Sequence, residues 1–239
     1  MNELISIIIP TFNRASLIGE TLDSIINQSY SNWECIVVDD GSIDYTSELI
    51  EFYIRKDNRI KLYFRPSSLE KGASSCRNFG FLKSEGKYVN FFDSDDLLHE
   101  NSIEIRLKNI KDADVVISPV TFIDVLGNNL TIKHKFKTTN DLKDYFTGEV
   151  TFYTITPIWN RDFLIRQSYL WDESISNLDD WDFNLRMLYQ NPKIKFVADD
   201  SLIYYRLHKN SLSQEIIKFN LNEIKSEFRA RHKHLQILK

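Results

Sequence analysis

Three carboxylates in four residues, Asp93-Ser94-Asp95-Asp96, follow directly on the apolar run Tyr88-Val89-Asn90-Phe91-Phe92. A strand that delivers so much like charge to one end needs compensation by a metal ion, shifted pKa values or a helix N-terminus. Hard carboxylate oxygens suit Mg²⁺ or Mn²⁺, and such ions commonly reach a protein already carrying a phosphate ligand. One reading is therefore a site where one or two Asp side chains hold a divalent cation against a diphosphate. The competing reading is local: Ser94 or an Asp caps a helix beginning near His99 or Asn101, and the rest of the cluster is solvated.

The elements that must position this cluster alternate between strand and helix over the first hundred residues. Leu4 to Ile9 is a continuous β-branched run ended by Pro10, the pattern of a strand buried on both faces. Leu17, Leu22, Ile25 and Ile26 recur at helical spacing over Ala15–Gln28. Strand signals return at Glu34–Val38, Ile60–Phe64 and Tyr88–Phe92, with helices between them at Glu48–Ile54 and Ala73–Ser84. Repeated β-α-β units imply a parallel sheet with helices on both faces, and ligands then sit beyond the carboxyl ends of the strands. Three of the four strand ends carry conspicuous polar groups: Thr11-Phe12-Asn13-Arg14, Asp39-Asp40-Gly41-Ser42 and the acidic cluster.

The second half is less regular. A strand is expected at Val115–Ser118, and Phe122–Val125 with Leu130–His134 flanks Leu126-Gly127-Asn128-Asn129 as a hairpin. Asp141–Phe146, Asp162–Gln167 and Asp180–Gln190 read as helices, and Ile155–Trp159, Lys195–Val197 and Leu202–Arg206 as strands. From about Gln214 a charged helix places Ile216, Ile217, Phe219, Leu221, Ile224 and Phe228 mostly on one side. The expected organisation is one α/β domain over 1–213, with a nucleotide-binding half (1–98) and an acceptor half (99–213), then a helical extension over 214–239.

With 239 residues, 42% hydrophobic, the chain can bury one sizeable core. No apolar run is long enough to span a bilayer, and the N-terminus lacks the pattern of a secretory signal. Cys35 and Cys76 read as reduced packing thiols, which points to the cytoplasm. A net charge of −4 argues against a nucleic-acid surface. The basic run Lys133, His134, Lys135 and Lys137 reads as a solvated face or a contact for lipid phosphate at a membrane surface.

Common phosphate loops do not fit. No two glycines are spaced G-x-G, and Gly80 lies one position too far from Gly86-Lys87 for a P-loop. A haloacid dehalogenase-type phosphatase would place Asp-x-Asp on its first strand and Thr or Val where Leu97 stands.

The chain resembles the inverting family 2 glycosyltransferases of GT-A fold. The matching residues are Ile7-Ile8-Ile9-Pro10-Thr11-Phe12-Asn13-Arg14, Val37-Val38-Asp39-Asp40-Gly41-Ser42 with Asp44, and Arg77-Asn78-Phe79-Gly80. They continue through Asp93-Ser94-Asp95-Asp96, Leu178-Asp179-Asp180-Trp181 and Tyr205-Arg206-Leu207-His208 with Ser211. Asp179 stands where the family more usually has Glu. The resemblance implies a Rossmann-like, mostly parallel sheet, a smaller antiparallel acceptor-side portion and a C-terminal helix.

It also implies a donor of the nucleotide-diphospho-sugar type, UDP-linked first among them, and an acceptor that is a glycan or lipid-linked, at the inner membrane face, in surface-polysaccharide assembly. Thr11, Phe12 and Asp40 would hold the base and Asp39 the ribose; Arg14 and Lys71 would meet the phosphates, and Asp93 and Ser94 the nucleotide. Asp95, with His208, would bind Mn²⁺ or Mg²⁺, and Asp96 would support them. Inversion requires a base for the acceptor hydroxyl, and Asp180 at the start of a helix fills that place. Local alternatives stand beside these roles. Asp39-Asp40-Gly41-Ser42 can be a plain strand-to-helix turn, and Asp179 or Asp180 a helix cap. Arg77 and Asn78 can brace the nucleotide loop or serve structure alone, and Trp159, Trp171 and Trp181 can face a sugar or fill core. A rival from another class is a non-catalytic, nucleotide-binding subunit of a larger transferase.

Overall fold

The Ile5–Ile9 run does form a strand with no exposed face. In the computed structural model, which describes residues 2–132, 134–138, 141–197, 202–208 and 220–237, β1 (Ile5–Thr11) and β2 (Trp33–Asp39) are buried at every position. Helices α1 (Ile18–Ile26), α2 (Thr46–Lys56) and α3 (Ala73–Lys83) connect them to β3 (Ile60–Phe64) and β4 (Tyr88–Phe91). The remaining described elements are β5 (Leu97–Leu98), α4 (Ser102–Ile110), β6 (Val115–Ile117), β7 (Thr121–Ile123), α5 (Asp141–Phe146), β8 (Pro157–Asn160), α6 (Arg161–Ile165), α7 (Asp179–Tyr189), β9 (Ile194–Phe196), β10 (Ile203–Arg206) and α8 (Leu221–Ile237).

Seven strands lie in the order β3-β2-β1-β4-β8-β6-β9. Every neighbouring pair is parallel except those of β8, which runs against both β4 and β6. Alternation along β1 sorts the core into two layers. Ile5, Ile7 and Ile9 pack with Ile18, Leu22 and Ile25 of α1, Ile50 of α2 and Ile103 and Leu107 of α4. Ile8, Val38, Val89 and Phe91 pack on the other face with Cys76 of α3 and Phe183 and Met187 of α7. The close approach of α3 to β1 needs Gly80, where a Cβ would lie 2.5 Å from Ile8 Cγ2.

A second sheet, β5-β10-β7, stands beside the first. It is mixed rather than wholly antiparallel: β10 runs antiparallel to β5 and parallel to β7. The expected hairpin shrinks to a single antiparallel bridge between Ile123 and Asn129. Its turn forms, with Asp124 Oδ1 accepting from Leu126 N–H (2.8 Å) and Asn128 N–H (2.9 Å), and Leu130 N–H donates to Phe122 O (2.8 Å) on the edge of β7 opposite β10, but no second strand follows. Lys133, Ser211, the expected 213/214 boundary and the helix residues Ile216, Ile217 and Phe219 lie outside the described residues. Cys35 and Cys76 are free and buried, and burial raises both thiol pKa values, that of Cys76 to about 12.

Candidate active site

The carboxyl ends of β1 and β4, the loop after β2 and the start of α7 open onto one cavity of about 760 Å³. Thr11, Phe12, Arg14, Asp40, Lys71, Asp93, Ser94, Asp95, Asp180 and His208 all line it, so the fold brings together every sequence-predicted site residue but one. The exception is Asp39. Its Oδ1 accepts from the Ser42 amide (2.8 Å) and hydroxyl (2.7 Å), and its Oδ2 from Ser47 (2.7 Å). Asp39 thus shapes the loop after β2, the turn role local chemistry allowed.

That loop is joined to the one after β1. Asn13 N–H donates to Ser42 Oγ (2.9 Å), Ile43 N–H to Asn13 Oδ1 (2.9 Å), and Arg14 N–H to Thr46 Oγ1 (2.8 Å). Asp44 Oδ2 accepts from Ala15 N–H at 3.2 Å. The two loops therefore present Thr11 and Asp40 from a braced frame. Thr11 Oγ1 is buried and has no hydrogen-bond partner among the described residues, which leaves a polar atom for a ligand to satisfy. Asp40 is ion-paired to Arg65, whose backbone N–H also donates to Asp39 O at 2.9 Å. At the mouth the Lys71 ammonium stands 4.1 Å over the Phe12 ring.

The acidic cluster does not cap α4, which begins behind Asn101 without a side-chain cap. Each carboxylate has a different neighbour. Asp96 is buried, accepts from Arg206 N–H (2.7 Å) and fastens β10 beside β4; burial and its two acidic neighbours hold its pKa well above the usual range. Asp93 accepts from Arg77 at 2.8 Å; burial raises its pKa, Arg77 opposes that and Asp95 adds to it. Asp95 Oδ2 lies 2.8 Å from His208 Nε2 and 3.5 Å from Arg14 Nε. Burial would raise its pKa, but the His208 hydrogen bond and the Arg14 charge outweigh it, so Asp95 is held below the ordinary carboxylate range.

A cation fits this corner. Among the described residues no three His, Cys, Asp or Glu side chains converge as a complete cage. Asp95 and His208 offer two donors 2.8 Å apart. Adjacent donors in an octahedral Mg²⁺ shell stand ~3 Å apart, and Mg²⁺ usually fills its other positions with phosphate oxygens and water. The donor set suits a hard divalent ion that arrives with a diphosphate.

Opposite stands the start of α7. Arg77, buried beneath the cavity with its guanidinium 4.5 Å from the Trp171 ring, donates to Asp93 and, at 2.6 Å, to Asp179. One cation thereby ties the end of β4 to the start of α7. Asp180 does not act as the helix cap. Leu178, in left-handed conformation (φ 60°), occupies the N-cap position, and Asp180 Oδ1 accepts only its neighbour's N–H, Trp181 at 2.7 Å. Burial and Asp179 push the Asp180 carboxyl up to about 7, against the opposing pull of the Trp181 N–H and Arg77.

Sequence reasoning missed the aromatic part of the wall. Tyr145, Tyr153 and Tyr205 line the cavity, the last two with ring centroids 4.9 Å apart. Tyr205 belongs to the Tyr205-Arg206-Leu207-His208 motif, but no local pattern marks Tyr145 or Tyr153. Of the tryptophans, Trp181 lines the cavity, whereas Trp171 stacks on Phe183 at 4.3 Å and Trp159 on Phe163 at 5.6 Å as core. Asn78 braces the other wall: its side chain bonds Trp171 O and N–H and Glu173 (2.9, 3.0 and 2.9 Å). In the basic run, His134 turns inward to Thr151 O (2.8 Å) and Lys135 pairs with Glu149 at 3.6 Å. His134 Nδ1 also accepts from Val120 N–H at 3.3 Å, so both ring nitrogens are engaged within the protein.

The fold is of GT-A type, and comparison with known proteins gives the family. It belongs to glycosyl transferase family 2, whose model matches residues 6–173. Among relatives, a Haemophilus influenzae glycosyltransferase is 38% identical over 146 residues, 60% of this chain and 56% of its own length. Bacillus subtilis EpsJ is 27% identical over 97% of this chain and 69% of its own length. The chain spans little more than half of the first and 39% of Streptococcus pneumoniae GlyG. S. aureus TarS residues 1–349 in complex with UDP-GlcNAc superposes with a TM-score of 0.71 at 25% identity, covering 87% of this chain and 59% of that one. The mannosyltransferase PcManGT of Pyrobaculum calidifontis, in complex with GDP-Man and Mn²⁺, shares the fold at 18% identity, with a TM-score of 0.70 over 99% of this chain and 65% of that one.

Proposed function

We propose that this chain is a metal-dependent, inverting glycosyltransferase that moves a sugar from a nucleotide diphosphate to a hydroxyl of a glycan or lipid-linked acceptor. The observation that carries the reading is one cavity with a carboxylate–imidazole pair, Asp95 and His208, 2.8 Å apart at one side and a carboxyl pushed up to about 7, Asp180, at the other. The TarS structures with UDP and UDP-GlcNAc support UDP as the nucleotide. Surface-polysaccharide assembly at the cytoplasmic face of a membrane is the proposed setting; no described helix is long and apolar enough to cross a membrane.

The nucleotide base sits at Thr11 and Asp40, with Phe12 and Lys71 at the mouth and Arg14 toward the phosphates. When bound, Mg²⁺ or Mn²⁺ held by Asp95 and His208 offsets the negative charge that grows on the departing diphosphate. Asp180 takes the proton of the acceptor hydroxyl as its oxygen bonds the anomeric carbon on the face opposite the breaking sugar–phosphate bond. Asp93 and Asp179, joined by Arg77, set the spacing of the two sides.

A panel of nucleotide-sugars scored for metal-dependent binding and turnover tests the reading. Tight nucleotide binding without turnover for any donor or acceptor would favour the non-catalytic subunit instead, although pure binding has no use for a carboxyl tuned like Asp180. The phosphatase alternative has no support, since Asp93 and Asp95 follow the fourth strand and Asp93 is committed to Arg77.

Asp95→Ala is expected to lose the Mn²⁺-dependent part of UDP affinity, by tenfold or more (~1.4 kcal/mol), with the fold intact by circular dichroism. Unchanged Mn²⁺-dependent affinity in calorimetry would remove Asp95 from the metal site. Asp40→Ala is expected to weaken UDP binding by roughly 1.5–3 kcal/mol, the worth of a charge-assisted hydrogen bond to the base. Because Arg65 also loses its partner, a melting curve must accompany the titration. Equal affinity of variant and wild type would move the base elsewhere.

A further inference from the structure

Helix α8 is amphipathic in an inverted sense. It docks through Ser226, Ala230 and His234, while Leu221, Ile224, Phe228 and Leu235 face solvent, Phe228 at 71% exposure. At 3.6 residues per turn these four fall within an arc of about 60°. The docked face is polar because it meets polar groups. Ser226 Oγ accepts from Ser176 N–H (2.9 Å) and Asn177 N–H (3.0 Å), and Lys233 and His234 reach Asp182 (2.7 and 2.9 Å). Among the described residues no such partner accounts for the outward apolar stripe. Exposed Lys225 and Arg229 flank it on one side, Arg229 also donating to Ser174 O, and Arg231, paired with Glu227 at 2.9 Å, on the other. The helix carries four Lys or Arg against two Glu, on a chain whose net charge is −4.

We propose that this face of α8 docks on an anionic phospholipid bilayer. An apolar stripe bordered by cations matches the boundary between acyl chains and anionic headgroups. A second copy of the chain would instead set the same flanking cations against each other. The helix adjoins the site through its docked face, since Ser176 and Asn177, which Ser226 holds, line the cavity. Docking through the opposite face places that rim about one helix diameter, ~10 Å, from the lipid surface. Resting on the function proposed above, this narrows the acceptor class to a hydroxyl carried on a lipid.

Flotation of the full chain with vesicles tests the docking without reference to turnover. Vesicles of phosphatidylcholine and phosphatidylglycerol in a ~3:1 ratio are expected to bind about tenfold or more tightly than phosphatidylcholine alone, and less tightly at high salt. The exposed pair Phe228→Glu/Leu235→Glu should abolish binding, and Lys225→Glu should weaken the preference for anionic lipid, with UDP affinity and melting temperature unchanged in both. No preference in the wild type, or full binding by Phe228→Glu/Leu235→Glu, overturns the proposal. So does a dimer in solution that this variant dissolves while vesicles go unbound. Vesicle binding without UDP binding would instead leave the docking standing and remove the function proposed above.

Discussion

Asp180→Asn is expected to keep nucleotide and metal affinity while turnover falls by about two orders of magnitude or more, since a general base is felt mainly in the transition state. Asn is nearly isosteric with Asp and retains an oxygen for the Trp181 N–H that Asp180 accepts. The pH profile supplies a second readout. A carboxyl pushed up to about 7 is protonated, and idle as a base, below that pH. Turnover in the wild type should therefore rise with pH through about 7 and level off above it. In Asp180→Asn that limb should vanish. Transfer at near wild-type rate would take Asp180 out of the mechanism and leave Asp179, already committed to Arg77, to be tried.

Asp182, by contrast, belongs to stability. It lies two residues beyond Asp180 on the same helix, and the structure turns it away from the cavity. Its carboxylate is buried among Arg186 (2.8 Å), Lys233 (2.7 Å) and His234 (2.9 Å) and joins α7 to α8. Asp182→Ala leaves buried cations without their counter-charge, which typically costs 3–5 kcal/mol, or about 10 °C in melting temperature for a chain of this size. Burial works to raise its pKa, but the His234 hydrogen bond, Arg186 and Lys233 outweigh it and depress it to about 2. A depressed carboxyl stabilises above its unfolded value near 4 and loses that contribution as pH falls toward 2. Urea unfolding at neutral pH and near pH 3 measures both effects. A loss below about 1 kcal/mol at neutral pH would show that the network carries little.

Much of the donor side was legible because it is local. Continuous β-branched runs, helical spacing and polar strand ends lie within the first hundred residues, and β1 to β4 with their helices follow them closely. Thr11, Asp40 and Asp95 reach the cavity because each follows a strand in a parallel sheet. Asp39 and Asp40 are neighbours, and only the tertiary partners, Ser42 and Ser47 for one and Arg65 for the other, tell them apart. Asp180 and Asp182 could have been separated in advance, because two residues along a helix turn by about 200°. The small sheet was beyond such reading. β10 pairs with segments far back in the chain, and the polar turn over Asp124–Asn128 is followed by a single bridge rather than a second strand. Tyr145 and Tyr153 were invisible because only tertiary packing brings them to Tyr205.

The pairing of Asp95 with His208 spans 113 positions. A ribosome releases the chain from its N-terminus, and early segments can begin to fold before later ones exist. Strand β4 and the carboxylates after it are thus complete long before β10 arrives to bring His208 and to give Arg206 N–H to Asp96. During that interval the acidic cluster has neither its histidine nor the strand that shields Asp96 from water. The nascent protein therefore carries an open, charged edge, and its Asp95–His208 corner closes only when β10, the last described strand, is laid in place. Order of synthesis delays competence at this corner until most of the polypeptide has been made.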